Sequence, residues 1–253
     1  MFLAVTHPSW EIEFAFALRA SGLGARRIGR SLGIPTSTVT DWVSGRVPSN
    51  ILARPGRCGV CGHEPHAFDE LDPAYVYLLG LYLGDGCIAT HPRAYKLRII
   101  LDSAYPKMIE EAADAIRQVL PRSEVSRCQR PGCEEVYSYS RSWPCLFPQH
   151  GPGKKHLRRI VLTDWQKRLV ERTPELLLRG LIHSDGCRFM NTGRGGWRCP
   201  RYSFTNYSPD IRRIFTDACD LLDLRWTTAS GTTVYVSRKA DVDKMDRFIG
   251  PKA

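Results

Sequence analysis

The sequence has no long apolar run, no leader-like start and comparatively few acidic residues. Its longest hydrophobic stretches are interrupted by Arg, Asp or Pro, so none reaches the roughly 20 apolar residues that a membrane-spanning helix needs. Residues 1–10 have no basic segment followed by an apolar core, and we therefore expect no secretory signal. Nine cysteines are an odd number in a chain of 253 residues, which favours free thiols in a reducing, cytoplasmic setting over a disulfide framework.

The scarcity of acid gives the chain a strong positive charge. Lys and Arg number 36 against 26 Asp and Glu, for a formal net charge of +10 and a pI near 9.3. Nucleic acid is the leading partner for such a chain, and a merely basic protein without that partner is the alternative. The length allows one large domain or two modest ones.

One short phrase occurs twice, 100 residues apart: LLGLYLGDGC at 78–87 and LRGLIHSDGC at 178–187. Each copy reads as an apolar helix that ends in an acid followed by glycine. The repeat predicts two similar half-domains whose helices lie side by side, with Asp85 and Asp185 at the same end of the pair. Two carboxylates brought together on a basic protein indicate a divalent metal acting on a phosphodiester. The alternative is a pair of Asp-Gly helix ends in a purely structural core.

The repeat extends beyond the two motifs. Each half continues from the motif helix to a strand, a helix opened by Pro106 or Pro209, and two further strands, and a last helix is predicted at 240–249. The final strands are predicted to form a hairpin around Ser230-Gly231.

The N-terminal residues 10–46 are typical of three short helices, with a tight turn at Gly33-Ile34-Pro35 before the third. This order resembles a bacterial helix-turn-helix module, whose second helix enters the major groove. The alternative is a three-helix packing module without DNA contact. The predicted phosphate contacts precede the turn, and the predicted groove contacts follow it: Arg26, Arg27 and Arg30, then Ser37, Thr38, Asp41 and Arg46.

A proline-rich linker contains a candidate zinc knuckle. Cys58 and Cys61 have the Cys-x-x-Cys spacing that zinc uses, and His63 and His66 follow closely. A second Cys pair at ribbon spacing is absent from the sequence. A metal-free turn is therefore the alternative to structural Zn²⁺. The candidate distant ligands are Cys128, Cys133 and Cys145.

The segment from Arg141 to Arg172, between the halves, is basic. It contains the Gly-flanked pair Lys154-Lys155, followed by Arg158, in a loop that suits a phosphate contact. An ordinary solvated loop is the alternative.

The two phrases together resemble the signature of the LAGLIDADG homing endonucleases, in the single-chain form with two motifs. The similarity covers residues 73–249, about 70% of the chain. It implies an α+β fold, a duplicated αββαββα saddle with pseudo-twofold symmetry, here preceded by a small all-α helix-turn-helix domain. The implied domains are 1–47, a linker at 48–72, and halves at 73–172 and 173–253.

The resemblance also implies a site. Asp85 and Asp185 would hold Mg²⁺ or Mn²⁺, and Lys155 would be the basic catalytic helper of the first half. The counterpart of Lys155 in the second half is open, with Arg238 and Lys239 at about the right place. The sixth motif position, often Asp in the family, is Leu83 in one copy and His183 in the other, but it is not the metal ligand.

The function implied is that of a monomeric, site-specific double-stranded DNA endonuclease with a long target site. The residues expected to contact DNA outside the N-terminal module are Lys154, Arg158, Arg238 and Lys239. Three alternatives stay open: a DNA-binding regulator without nuclease activity, an intron maturase, and a zinc-dependent interaction module without catalysis. The first of these normally lacks the motif acids, and both are present here.

Overall fold

The computed structural model describes residues 7, 9–46, 58–196, 198–229 and 231–252. The α-helices of this described part are α1 Ser9–Ala20, α2 Ala25–Leu32, α3 Thr36–Val43, α4 Ala74–Asp85, α5 Pro106–Val119, α6 Trp143–Leu146, α7 Asp164–Arg172, α8 Pro174–Asp185, α9 Pro209–Leu221 and α10 Lys239–Ile249. The strands are β1 Gly86–His91, β2 Ala94–Asp102, β3 Val125–Arg130, β4 Cys133–Ser140, β5 Gly186–Thr192, β6 Arg198–Thr205, β7 Trp226–Ala229 and β8 Thr233–Val236. None of these helices is long and apolar enough to cross a lipid bilayer.

The chain divides into two compact units. Among the described residues, the first unit contains the chain up to His66, together with His91–Tyr95 and Arg141–Pro152. The second unit contains Ala67–Thr90, Lys96–Ser140 and the residues from Gly153 onward.

Helices α1, α2 and α3 of the first unit enclose a small core. Its buried residues include Ile28, Ile34, Val39 and Trp42. Helix α2 ends at Gly33, which takes the left-handed conformation at φ 67° that glycine adopts without steric cost. The three helices lie where the sequence predicts them.

The second unit is built from a repeated arrangement. The element order α4-β1-β2-α5-β3-β4 is followed, after α6 and α7, by the order α8-β5-β6-α9-β7-β8-α10. Each half has a four-stranded sheet, with the orders β1-β2-β4-β3 and β5-β6-β8-β7. The predicted fold class, a duplicated αββαββα unit preceded by a helical segment, is confirmed by this topology.

The motif helices α4 and α8 pack against each other in the second unit, and α4 is apolar nearly all round. Every residue of α4 from Tyr75 to Leu83 is buried, which is the pattern of a core helix rather than a surface helix. Strands β2 and β8 follow the period of two expected when one face of a sheet is covered. In β2, for example, Leu97, Ile99 and Leu101 are buried. In the second half, Phe204 of β6 stacks on Phe215 of α9, with ring centroids 4.5 Å apart.

Some elements differ from the residue-by-residue prediction. Strands β1 and β5, which periodicity does not reveal, begin at Gly86 and Gly186 directly after the motif helices. Residues 159–162 lie outside any helix or strand. The buried Ile160 donates its backbone N–H to Asp210 Oδ2 at 2.7 Å. A side-chain carboxylate thus accepts the hydrogen bond that a backbone carbonyl of a neighbouring strand would otherwise accept. The predicted hairpin residue Ser230 lies outside the described residues.

Candidate active site

The motif helices α4 and α8 approach each other through glycine. A Cβ atom on Gly80 would lie 2.7 Å from the carbonyl oxygen of Leu177 and 2.8 Å from the Cα of Gly180. A Cβ atom on Gly180 would overlap the carbonyl oxygen of Tyr77 and lie 2.9 Å from the Cα of Gly80. The contacts are reciprocal, as in a pseudo-dimer with a twofold axis between the helices.

The close approach continues to the ends of both helices. A Cβ atom on Gly84 would overlap the Ser184 side chain and lie 3.1 Å from Asp185 Oδ2. Asp85 and Asp185 are the last residues of their helices, and both are half-buried. The structure thus brings together the two acids that the duplicated phrase singled out.

The pair has an unfavourable electrostatic environment. Burial, together with the negative charge of Asp185, raises the pKa of Asp85 to about 6. Burial also raises the pKa of Asp185, but a hydrogen bond from Asn206 opposes that increase. Asn206 Nδ2 donates to Asp185 Oδ2 at 2.5 Å. Two partly desolvated carboxylates of like charge repel each other, and a cation between them would relieve the repulsion.

Lys155 lies beside this pair. Its Nζ donates to the carbonyl oxygens of Tyr82 and Gly84 at 2.6 Å and to that of Gly86 at 3.0 Å, so it holds the carbonyls around the end of α4. Burial lowers the pKa of Lys155 to about 8, although Asp185 and Asp85 oppose the shift. The three hydrogen bonds hold the Lys155 ammonium group in place. With a pKa of about 8, this group is mostly charged at neutral pH.

The second half has an equivalent lysine that the sequence interpretation missed. Lys252 Nζ donates to the carbonyl oxygen of Gly186 at 2.5 Å, and its pKa is lowered by burial. The candidates named from the sequence, Arg238 and Lys239, are exposed instead, and Lys239 pairs with Asp243 at 2.7 Å. A signal existed in the repeat, because Lys155 follows the end of β4 by about 15 residues and Lys252 follows the end of β8 by about 16.

Further basic residues of the segment around Lys155 differ in exposure. Lys154 is exposed, whereas Arg158 is half-buried and hydrogen-bonds the Tyr82 side chain. The Nε and Nη1 atoms of Arg158 are buried and have no hydrogen-bond partner among the described residues. Arg158 and Lys155 thus place two positive charges close together, and the charge of Arg158 helps to lower the pKa of Lys155.

The residues predicted to contact DNA in the first unit lie on the surface of α2 and α3 or just after α3. Arg26, Arg27 and Arg30 are exposed on α2, and Ser37 is exposed on α3. Thr38 is half-buried. Asp41 and Arg46 are exposed and form an ion pair of 3.2 Å, so part of the predicted groove-facing set is paired within the module.

A cluster of sulfur and nitrogen atoms lies in the first unit. Its four ligand atoms lie within 4.8 Å of one another. The members of this Cys3His cluster are Cys58, Cys61, His66 and Cys145. The predicted ligand His63 lies outside it, because His63 Nδ1 lies 3.0 Å from Ser142 Oγ. Cys145 takes the fourth place, and the hydrogen bond from Cys145 lowers the pKa of Cys61.

The duplicated element order, the matching strand orders and the reciprocal glycine contact together decide the fold. The chain has the LAGLIDADG fold. Neither the family models nor the curated proteins include a match to this sequence.

Several solved structures with a LAGLIDADG fold are similar to the chain. Mesophilic variants of the homing endonuclease I-DmoI are 18% identical, cover 73% of this chain and 91% of their own, and superpose with a TM-score of 0.48. I-DmoI in complex with DNA and Mn is 15% identical, covering 71% of this chain and 97% of its own, with a TM-score of 0.47. The N-terminal LAGLIDADG domain of DUF199/WhiA is 12% identical, covering 74% and 83%, with a TM-score of 0.43. At such identities the likeness concerns the fold alone.

Proposed function

We propose that the chain is a divalent-metal-dependent endonuclease that cleaves double-stranded DNA at a specific site. One observation carries the proposal: Asp85 and Asp185 meet at the ends of two packed helices, each half-buried and with a lysine beside its motif. A purely structural pair of helix ends gains nothing from two acids with raised pKa values, whereas a cation site does.

The residues fit a hard cation such as Mg²⁺ or Mn²⁺. Asp85 and Asp185 supply carboxylate oxygens, and Mg²⁺ commonly uses one or two carboxylates and completes its shell with water and substrate phosphate oxygens. When bound, such a cation supplies an activated water and neutralises charge on the leaving oxygen. The raised pKa of Asp85, about 6, still leaves it largely ionised and able to bind a cation at neutral pH.

The remaining residues of the site orient the Asp185 carboxylate, hold the ends of the motif helices and offset negative charge. Asn206 orients the Asp185 carboxylate through its amide. Lys155 and Lys252 fix the carbonyl oxygens at the ends of the motif helices, and their ammonium groups offset negative charge that develops on a scissile phosphate. Each half of the pseudo-dimer thus provides one acid and one lysine, as expected if each half acts on one DNA strand.

DNA binding is supported by charge and exposure. The net charge of +10 suits a polyanion, and Lys154, Arg238 and Lys239 present exposed cations in the second unit. Exposed Arg26, Arg27 and Arg30 on α2 add a second contact to flanking phosphates. A monomer would suffice, because both halves lie in one chain.

The decisive experiment is cleavage of a supercoiled plasmid that carries the junction where the gene is inserted. The full chain is assayed with Mg²⁺, with Mg²⁺ omitted, and with excess EDTA. We expect metal-dependent linearisation at one site by the natural protein. An Asp85→Asn, Asp185→Asn double variant should bind the same duplex and leave it uncut.

A matched control is Asp164→Asn, which changes an exposed acid at the start of α7 and should cut normally. Cleavage by the double variant would refute the proposed chemistry. Tight, specific binding by the natural protein without any cut would instead identify a DNA-binding regulator.

A further inference from the structure

The Cys3His cluster joins two distant parts of the chain. Cys58 Sγ lies 3.6 Å from Cys145 Sγ, although the two residues are 87 positions apart. Cys61 Sγ lies 3.2 Å from His66 Nε2. Three sulfur atoms and one imidazole nitrogen therefore converge on a single point within one compact unit.

The local backbone has the form of a metal knuckle. The Cys58 N–H donates to the carbonyl oxygen of His63, and the Gly62 N–H donates to that of Cys58, both at 2.8 Å. Gly62 takes a left-handed conformation at φ 73°, which turns the chain so that both thiols of the Cys-x-x-Cys face the same side. The fold of this segment aims the sulfur atoms at the cluster.

The fourth ligand comes from a rigid element. Cys145 lies on α6, in which all four residues are buried, and Trp143 packs against Phe147 with ring centroids 6.0 Å apart. The Cys145 side chain is therefore held before any ligand arrives. Cys61 is also buried, with 1% of its surface exposed.

We propose that the Cys3His cluster binds one structural Zn²⁺. Tetrahedral zinc with Zn–S distances of about 2.3 Å separates neighbouring sulfur ligands by about 3.8 Å, close to the 3.6 Å between Cys58 and Cys145. Four protein ligands close the coordination sphere, which is the arrangement of structural rather than catalytic zinc. The metal would fasten the Cys58–His66 turn to α6.

Competing explanations account for less of the geometry. A disulfide between Cys58 and Cys145 would not explain why the Cys61 thiol and the His66 imidazole lie at the same place. A magnesium site is excluded by the ligands, because Mg²⁺ prefers oxygen and zinc prefers thiolate and imidazole. The site also differs in every ligand from the Asp85–Asp185 pair, so the two proposals stand or fall separately.

The test is the metal content of the full chain, purified from zinc-supplemented medium without chelator and measured by mass spectrometry of the elements. We expect one zinc per chain. Titration with a mercurial reagent should release that zinc as three thiols react. Co²⁺ exchange should give the visible bands and thiolate charge transfer of a tetrahedral sulfur-rich site.

Matched variants distinguish the ligands from their neighbours. Cys145→Ser and His66→Ala should lower zinc content at least several-fold, whereas His63→Ala, Cys128→Ser and Cys133→Ser should keep one zinc. A natural protein that lacks zinc or carries iron, or a His63→Ala variant that loses the metal while His66→Ala keeps it, would overturn the proposal.

A second measurement on the natural protein needs no variant to fold. Alkylation followed by peptide mass spectrometry should find Cys58, Cys61 and Cys145 protected together until zinc is released. The exposed Cys128 and Cys187 should react at once. A Cys58–Cys145 disulfide, or early modification of Cys145 alone, would count against zinc, and neither readout depends on DNA cleavage.

Discussion

Asp85 and Asp185 hold equivalent places in the repeat, but their surroundings differ. Asp185 accepts a hydrogen bond from Asn206, whereas burial and the charge of Asp185 raise the pKa of Asp85, and the charges of Lys155 and Lys252 oppose that increase. The amide stabilises the ionised form of Asp185. Asp85 is therefore the acid whose charge is least favourable in the metal-free protein.

This difference predicts a stabilising substitution. Because the folded-state pKa of Asp85 is raised to about 6 from 3.8, its stabilising contribution is fully present below pH 4 and is lost as the pH rises through about 6. The Asp85→Asn substitution removes the carboxylate charge, so the variant does not lose this stability as the pH rises. We expect the variant to be more stable than the natural protein at pH 7, by on the order of 1–2 kcal/mol after allowance for solvent screening, and equally stable near pH 4.

Urea unfolding of both proteins across this pH range, without added divalent cation, measures the difference. The control Asp164→Asn alters an acid whose side chain is 89% exposed and should give no gain at either pH. A gain at pH 7 that persists unchanged at pH 4 would show that the charge of Asp85 is not its cause.

The sequence predicts some of the site residues and not others, for a physical reason. Asp85 and Asp185 are fixed by local pattern, since a helix followed by Gly places the acid at the helix end, and the repeat pairs the two ends. Lys252 and Cys145 reach their sites through tertiary packing. Cys145 is one of three distant cysteines that the sequence offers as a further zinc ligand without favouring any of them. The position of α6 in the fold brings Cys145 into the cluster.

At the scale of elements, the motif helices are predictable because their signal is long and apolar. The strands that follow them are harder to predict, because β1 and β5 start at the glycine that ends each helix and leave no intervening turn. The burial pattern of β5 is mostly exposed or half-buried, so apolar alternation is weak. Its pairing with β6, from Gly186 opposite Phe204 onward, defines the strand.

The contact between α4 and α8 predicts that Gly80 cannot be enlarged. In Gly80→Ala, the new methyl group would meet the backbone of α8 at 2.7–2.8 Å, and backbone atoms cannot move aside as a flexible side chain can. We expect a loss of about 1–3 kcal/mol in the free energy of unfolding, the usual cost of overpacking. Chemical denaturation at neutral pH measures it.

Gly231→Ala is the matched control. A Cβ atom at Gly231 meets nothing within 4 Å, and its backbone is not in the left-handed region. Its unfolding free energy should stay within about 0.5 kcal/mol of the natural value. Equal losses from the two substitutions would mean that the helix contact is looser than the structure has it.

At the scale of the whole molecule, the two halves are similar but not identical. The basic segment that carries Lys155 follows β4 and includes α6 and α7, whereas α10 precedes Lys252 after β8. Different connections thus bring a lysine to the end of each motif helix. Because different connections place a lysine at equivalent positions, we infer that each acid requires an ammonium group beside it, and we do not regard the two positions as a coincidence of packing.

This arrangement predicts strand-selective defects if the proposed nuclease activity is correct. Lys155 contacts the end of α4 through Gly84 and Gly86, and Lys252 contacts the start of β5 through Gly186. In Lys155→Met or Lys252→Met, one half loses its ammonium group while the other keeps its own. We expect each variant to cut one DNA strand about 100-fold more slowly, the usual cost of removing one charge-stabilising donor, and to accumulate nicked circles.

A duplex labelled separately on each strand identifies the slowed strand, and the two variants should slow opposite strands. Lys167→Met, which changes an exposed lysine paired with Asp164, should cut both strands at the natural rate. Slowing of both strands to the same degree by either single variant would contradict the division of labour, because the lysines would then act on one shared site rather than one on each half.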